Sequence, residues 1–223
     1  METLKDLIHG ELYDILVKKG ITKLMPAQKK AVKAGLFENK NMLVCAPTSA
    51  GKTLIAELAA FNSIMTQRGK AIYIVPLKAL ANEKYKEFQE FYGDKVKIAM
   101  SIGDKDSSEP YLENYDLIIT TSEKLDSLIR HHSPWLKDVA TVIVDEIHLM
   151  NDAHRGPTLE ILITILREIL NKVQIIGLSA TIGNPEQLAT WLGAELVQDS
   201  WRPIPLHRGV YLDGEIEFKE EKK

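Results

Sequence analysis

The stretch from Ala46 to Thr53 follows the apolar run 42–45 and combines small residues with a Lys-Thr pair. A buried strand that ends in a tight turn and then opens a helix leaves several backbone N–H groups pointing at one place, where a polyphosphate can bind. Lys52 would contact the β- and γ-phosphates, and the Thr53 hydroxyl could hold Mg²⁺. The residues predicted to bind the nucleotide are Ala46, Pro47, Thr48, Ser49, Ala50, Gly51, Lys52 and Thr53.

The general pattern of such a loop begins with Gly, where this chain has Ala46. A strand, turn and helix that merely carry Lys-Thr therefore remain an alternative at this point.

Two acidic residues, Asp145 and Glu146, follow the apolar run 141–144. Ligands gather at the carboxyl ends of parallel strands, so Asp145 could reach a metal held by Thr53. Glu146 could orient and deprotonate the water that attacks the γ-phosphorus. Acidic residues at strand ends are common, and it is the phosphate-binding loop earlier in the chain that favours a catalytic interpretation. Lys52, Asp145 and Glu146 are the predicted catalytic residues, with Thr53 and Asp145 as metal ligands.

The elements that would position these residues alternate along the chain. Short apolar runs predict buried strands, and longer amphipathic or apolar stretches predict helices between them, which is typical of an α/β fold with a mostly parallel sheet and helices on both faces. The predicted strands after the loop are 71–75, 96–100, 116–120, 141–144 and 173–178, and the predicted helices are 54–66, 77–92, 122–130, 157–170 and 185–192.

The N-terminal forty residues predict two helices. Apolar residues at helical spacing from Leu4 to Leu16 indicate an amphipathic helix that stops at Gly20, and Pro26 begins a second helix. Composition alone predicts that Gln28 is exposed, and Ser122 is predicted to cap the helix that it precedes.

Composition limits the class of protein. The chain has 223 residues, 45% of them hydrophobic and 26% charged, which suits one large soluble domain or at most two small ones. Its one cysteine excludes a disulfide framework, and the net charge of −3 does not indicate a nucleic-acid binder driven by overall charge. No long apolar run or cleavable signal is visible, so we expect a cytoplasmic protein without a membrane span.

The pattern changes at Trp201, because Pro203 and Pro205 suit an edge strand or an exit segment. We therefore expect a nucleotide-binding domain over 1–200, whose first 40 residues carry the N-terminal helices, and a segment 201–223 that is an edge strand or leads away from it. The charged end 215–223 is expected to be frayed.

Seven short motifs, in order, resemble the first motor domain of a superfamily-two helicase of the DExH-box type. They are Pro26-Ala27-Gln28, Ala46 to Thr53, Val75 to Leu80, Ser101 to Asp104, Thr121 to Lys124, Asp145 to His148 and Ser179-Ala180-Thr181. Within that family the chain resembles the Ski-like group, through Asp152, Arg155-Gly156-Pro157, Glu160 and the run 202–206. The run 123–131 resembles archaeal repair helicases of the Hjm type.

The resemblance implies a RecA-like fold, ATP and Mg²⁺ as cofactors, and roles for further residues. Gln28 would read the adenine edge. His148, Ser179, Ala180 and Thr181 would couple the nucleotide state to strand binding. The residues that would contact the nucleic-acid strand are Pro76, Lys78, Gly103, Asp104, Thr121 and Ser122.

The implied function is the ATP-binding half of an ATP-dependent DNA helicase that acts on single-stranded or forked DNA in repair or fork processing. The second motor domain would carry a Gly-Arg motif, and none of the 13 glycines here precedes an arginine. We therefore expect a fragment that binds ATP, hydrolyses it poorly, and partners a second RecA-like domain. An RNA-remodelling helicase and a non-catalytic ATP-binding module are the alternatives, and Glu146 argues against the second.

Overall fold

In a computed structural model, residues 4–103, 108–170, 172–204 and 209–218 are described. The helices are α1 (Leu4–Leu7), α2 (Gly10–Lys18), α3 (Pro26–Lys33), α4 (Lys52–Met65), α5 (Lys78–Tyr92), α6 (Ser122–Arg130), α7 (Gly156–Ile169) and α8 (Pro185–Leu192). The strands are β1 (Met42–Cys45), β2 (Lys70–Val75), β3 (Ile98–Ser101), β4 (Leu117–Thr121), β5 (Val139–Val144), β6 (Gln174–Ser179), β7 (Glu195–Gln198), β8 (Gly209–Leu212) and β9 (Glu215–Phe218).

Strands β1 to β7 form a seven-stranded sheet in the order β3-β4-β2-β5-β6-β1-β7, and all of their pairings are parallel. Side chains alternate between the two faces, so that Met42 and Val44 enter one core and Leu43 and Cys45 enter the other. Helices α2 to α5 pack on the first face and α6 to α8 on the second. The predicted α/β class with helices on both faces is confirmed.

The order of the strands explains where ligands can bind. The parallel pairings bring the carboxyl ends of β1 to β6 to one end of the sheet, and the segments after these strands carry most of the predicted site residues. The continuous burial of β1, β4 and β6 suits strands covered on both faces.

Several local predictions were wrong. The predicted N-terminal helix is two helices, because the backbone is extended at His9 (φ −57°, ψ 136°). The cap of α6 is Thr121, whose hydroxyl accepts the Lys124 N–H at 3.4 Å, and Ser122 is the first helical residue. Gln28 is buried, with 2% of its surface exposed, because its amide bonds to neighbouring backbone groups.

The edge strand beside β1 is β7, which was not predicted from the sequence. No described segment after residue 200 forms an edge strand of this sheet. Strand β7 was missed because only Val197 of its four residues is buried, so its apolar signal is weak. Residues 209–218 instead form a separate antiparallel hairpin, with Tyr211 opposite Ile216. Residues 205–208 and 219–223 lie outside the described residues. The second of these ranges is part of the end 215–223 that was predicted to be frayed.

Among the described residues, no helix combines the length and the apolar character that a bilayer crossing requires.

Candidate functional site

The loop from Ala46 to Thr53 connects β1 to α4, which begins at Lys52. Ser49 (φ 67°) and Gly51 (φ 77°) have left-handed backbone conformations that turn the chain sharply before the helix. A Cβ atom at Gly51 would overlap the Gln28 amide nitrogen, so glycine is required there both for its φ and for this close approach. The loop therefore has the strand, turn and helix geometry in which backbone N–H groups converge on an anion.

Lys52 lies across this loop. Its Nζ donates to the carbonyl oxygens of Ala46 (2.8 Å) and Pro47 (3.2 Å). Burial lowers the pKa of Lys52, and the negative charges of Glu146 and Asp145 oppose that shift. The loop cation and the two carboxylates thus interact electrostatically, as the catalytic prediction requires.

Gln28 joins helix α3 to the loop. Its Oε1 accepts the Met25 N–H at 2.8 Å, and its Nε2 donates to the Gly51 carbonyl at 2.9 Å. Gln28 also borders a cavity of about 460 Å³, together with Gly51, Thr53 and the turn 19–23. The sequence predicted that a helix ends at Gly20, but no sequence pattern predicted that the turn 19–23 belongs to a binding site. That Gln28 reads adenine remains a prediction.

Asp145 follows the last residue of β5 and is held by its neighbours. Its backbone N–H donates to the Ile74 carbonyl, the Tyr73 hydroxyl donates to Oδ2 (3.2 Å), and the Glu146 N–H donates to Oδ1 (3.0 Å). Burial raises the pKa of Asp145, and the charge of Glu146 adds to this effect. A cation bound beside Asp145 would therefore offset the repulsion between these two adjacent negative charges.

Glu146 has a left-handed backbone conformation (φ 51°). Its Oε2 lies 3.2 Å from Nδ1 of His148, but the two atoms do not have hydrogen-bonding geometry. Both atoms are buried, and neither has a hydrogen-bond partner in the part of the chain that the structure describes. Such a buried carboxylate oxygen is available to a ligand or a water molecule.

The Ser179-Ala180-Thr181 motif lies beside the phosphate-binding loop. The Ser179 carbonyl accepts the Ala46 N–H at 3.2 Å, and β6 pairs with β1 at Ser179 and Cys45. The Ser179 hydroxyl is buried without a hydrogen-bond partner among the described residues. Thr181 borders a cavity of about 290 Å³ that Cys45 also lines. These contacts place the predicted coupling residues next to the nucleotide loop, and their role remains a prediction.

The residues predicted to bind the nucleic-acid strand line cavities next to Asp145 and Glu146. Pro76, Lys78, Gly103 and Thr121 line a cavity of about 490 Å³, which we call the strand groove. Ser122 lines a smaller adjacent cavity with Asp145 and Glu146, which we call the carboxylate cavity. The predicted contact Asp104 lies outside the described residues. No strand contact was predicted for the further groove residues Leu77, Ile102, Glu123, Lys124, Ser127 and Arg155.

Residues 25–188 match the family described as DEAD/DEAH box helicase. The chain belongs to the DEAD/DEAH box helicase family.

Named relatives within this helicase family agree with the finer resemblance. The chain is 49% identical over 215 residues to the protein named ATP-dependent DNA helicase Hel308 of Pyrococcus horikoshii, an alignment that covers 96% of this chain and 30% of that protein. It is 55% identical over 217 residues to the Hel308 of Methanocaldococcus jannaschii, covering 93% of this chain and 18% of that protein. The chain thus spans less than a third of the length of these relatives.

Solved helicase structures share the fold. The DUF1998 helicase MrfA bound to DNA matches with a TM-score of 0.75 and 26% identity, over 89% of this chain and 30% of that one. The Mycobacterium smegmatis helicase Lhr bound to ssDNA and AMP-PNP matches with a TM-score of 0.73 and 28% identity, over 90% of this chain and 28% of that one. The RecA-like helicase fold is therefore confirmed.

The residues of this DEAD/DEAH box domain fit a magnesium nucleotide. A threonine hydroxyl and a buried carboxylate are oxygen ligands of the kind that Mg²⁺ prefers. The described residues contain no group of three or more His, Cys, Asp and Glu side chains that could hold a metal ion. A magnesium ion at Thr53 and Asp145 would therefore have few protein ligands, as is usual where phosphates and water complete its coordination.

Proposed function

We propose that this chain is the ATP-binding half of an ATP-dependent DNA helicase that works in the cytoplasm on single-stranded or forked DNA. The observation that carries the proposal is the contact between two sites. Pro76 and Arg155 line both the strand groove and the carboxylate cavity. The proposed site of the nucleic-acid strand and the site of the predicted catalytic carboxylates therefore share a wall. The names of the relatives, which are DNA helicases, support DNA as the substrate.

In this proposal the phosphate-binding loop and Lys52 hold the phosphates of ATP, and Thr53 with Asp145 holds Mg²⁺. Bound Mg²⁺ supplies charge neutralisation at the phosphates during hydrolysis. Lys52 exchanges its contacts with the loop carbonyls for contacts with phosphate oxygens. Glu146 orients the attacking water and accepts its proton, for which its buried Oε2 is suited, since this atom has no hydrogen-bond partner among the described residues.

The strand groove combines neutral residues such as Gly103 and Thr121 with the cations Lys78 and Arg155. Such a surface binds the sugar-phosphate backbone without reading sequence. The net charge of −3 means that binding must come from local contacts in this groove.

Further parts of the motor are also proposals. Relatives more than three times as long are compatible with a second RecA-like domain that closes over the nucleotide and supplies an arginine to the γ-phosphate. Without that arginine, this chain is expected to bind ATP and hydrolyse it slowly.

The steady-state rate of Mg-ATP hydrolysis, with and without single-stranded DNA, tests the proposal. Glu146→Gln serves as the catalytic blank, and Glu90→Gln, an exposed change of equal charge on α5, serves as the control. We expect a fluorescent ATP analogue to bind all three proteins and turnover to be slow and insensitive to DNA. Failure of the wild type to bind the analogue would refute the nucleotide site. DNA-stimulated turnover that Glu146→Gln abolishes would show that this chain is a complete motor.

An RNA-remodelling helicase is the second candidate, since the groove contacts that we propose do not involve the sugar 2′-position. Competition between DNA and RNA oligonucleotides of one sequence separates the two functions. Tighter binding of RNA would favour the second candidate.

A further inference from the structure

Asp152 and Arg155-Gly156-Pro157 are among the residues through which the chain resembles the Ski-like group of helicases. The proposed function gives these residues no role. Arg155 is partly buried, immediately precedes α7, and lies seven residues after His148 in the sequence. Its side chain lines both the strand groove and the carboxylate cavity.

The turn before Arg155 is held by hydrogen bonds. Asp152 Oδ1 accepts the N–H groups of His154 and Arg155, each at 2.9 Å, and the Asp152 carbonyl accepts the Gly156 N–H at 2.8 Å. A Cβ atom at Gly156 would overlap the Met150 carbonyl oxygen, so the chain approaches itself closely here. The base of the Arg155 side chain is thus fixed relative to the groove.

The cations of the strand groove differ in their partners. Lys124 is buried and forms an ion pair with Glu109 at 2.9 Å, so its charge is neutralised within the fold. For Arg155, by contrast, no hydrogen bond or ion pair of the guanidinium is found within the described residues. The donors of this guanidinium are therefore available to an anion that enters the groove, and partial burial strengthens such a contact.

The surroundings of Arg155 in the groove suit a phosphate. Pro76, Gly103 and Thr121 are neutral, and Glu123 is the acidic side chain of this groove. Asp145 and Glu146 line the carboxylate cavity that Arg155 also borders, and the charge of Arg155 acts on Asp152. A guanidinium offers a planar fork of donors that can bind two oxygens of one phosphate.

We propose that Arg155 binds a backbone phosphate of the nucleic-acid strand and holds it at the wall shared by the strand groove and the carboxylate cavity. This inference rests on the proposed function, because it takes the groove as the site of the strand. It adds a phosphate-binding residue from a turn that also follows Asp145 and Glu146, so the strand contact and the catalytic carboxylates belong to one short segment of chain.

Binding of a short fluorescent oligothymidylate, measured by anisotropy over a range of salt concentrations, tests the inference. Arg155→Gln removes the charge while keeping a polar side chain, and Arg155→Lys keeps the charge without the fork. Arg130→Gln is the matched control, because Arg130 is exposed on α6 and pairs with Asp126.

We expect Arg155→Gln to weaken the affinity about tenfold, as for the loss of a hydrogen bond to a charged group. The slope of log affinity against log salt should fall in magnitude by about 0.7, the value for one phosphate contact on a single strand. Arg155→Lys should keep the slope and recover part of the affinity. Arg130→Gln should match the wild type, and all variants should bind the fluorescent ATP analogue equally.

The outcomes separate the inference from the proposed function. If Arg155→Gln keeps the wild-type affinity and slope while Lys78→Ala weakens binding, the groove binds the strand and the inference about Arg155 is wrong. Loss of analogue binding in both Arg155 variants would mean a structural role and would also overturn it. A wild-type chain that binds the analogue but no oligonucleotide would refute the strand site and the inference together.

Discussion

The nucleotide end of the sheet and the strand groove are adjacent, but they differ in where their charges lie. At the nucleotide end, Lys52, Asp145 and Glu146 are charged groups that act on one another inside a partly desolvated site. In the strand groove, the ion pair with Glu109 neutralises Lys124, and the remaining charges are spread over Lys78, Glu123 and Arg155 among neutral residues. Single substitutions should therefore abolish function at the first region and only weaken it at the second.

The largest difference is expected for Lys52→Ala. The loss of a charged contact to phosphates should weaken binding of the fluorescent ATP analogue about 100-fold, whereas strand affinity should stay within about twofold. Titrations of both ligands check this, with Lys86→Ala on α5 as a control of equal charge. A comparable loss of strand affinity would show that the two regions are not energetically separate.

The ion pair beneath the strand groove predicts a stability effect. Glu109→Gln leaves Lys124 buried without its partner and should lower the free energy of unfolding by about 2 kcal/mol, less than for a fully buried pair because Glu109 is partly exposed. Burial acts against ionisation of Glu109, but bonds from Ser101 and Lys124 hold its pKa below the ordinary 4.5. Its contribution is therefore present above the ordinary pKa and is lost as the pH falls through the lowered value.

Urea denaturation at neutral and acid pH measures this effect. The difference between the wild type and Glu109→Gln should shrink at acid pH. An unchanged difference at both pH values would indicate that packing rather than charge is responsible.

A pair of glycines compares the two regions directly. Gly51→Ala places a Cβ against Gln28 at a positive φ and should cost about 1.5 kcal/mol of stability, with weaker binding of the ATP analogue. Gly103→Ala in the strand groove meets open space and should change stability by less than about 0.5 kcal/mol. Thermal unfolding of the two variants side by side is sufficient. Equal losses would mean that the groove is as closely packed as the loop.

The smallest expected effect concerns pH. The pKa of Asp145 is raised above its ordinary 3.8 in the folded chain, so its contribution to stability is present at acid pH and is lost as the pH rises through the raised value. Without metal, Asp145→Asn should therefore lose less stability than the wild type when the pH is raised from acid to neutral. Urea denaturation of both proteins at the two pH values measures how their free energies of unfolding change with pH. An identical change in the two proteins would contradict a raised pKa of Asp145.

Features that depend on contiguous residues could be predicted from the sequence, whereas features that depend on contacts between separate segments could not. The phosphate-binding loop and the Asp145-Glu146 pair are contiguous motifs at the ends of apolar runs, so their position at one edge of a parallel sheet could be predicted. The burial of Gln28 could not, because it depends on contacts with Met25 and Gly51 that form only in three dimensions.

The strand groove shows the same limit. Its lining comes from separate segments after β2, β3 and β4 and from the turn at Arg155. Family resemblance located Pro76, Lys78, Gly103 and Thr121, but no periodicity or spacing links them to Arg155. Strand β7 was missed for a different reason, since an edge strand with one buried residue has little hydrophobic pattern to detect.

The position of β1 has a consequence for how the chain folds during synthesis. Strand β1 comes first in sequence among the strands of this sheet, yet its neighbours in the sheet are β6 and β7, which begin about 130 and 150 residues later. At about 5 to 20 residues per second, β1 waits roughly 6 seconds or longer for its first partner. During that interval the apolar residues Met42–Cys45 have no strand beside them, and such delayed long-range pairing slows folding and exposes a surface that can aggregate. The nucleotide loop that follows β1 can therefore acquire its final shape only after β6 has been translated.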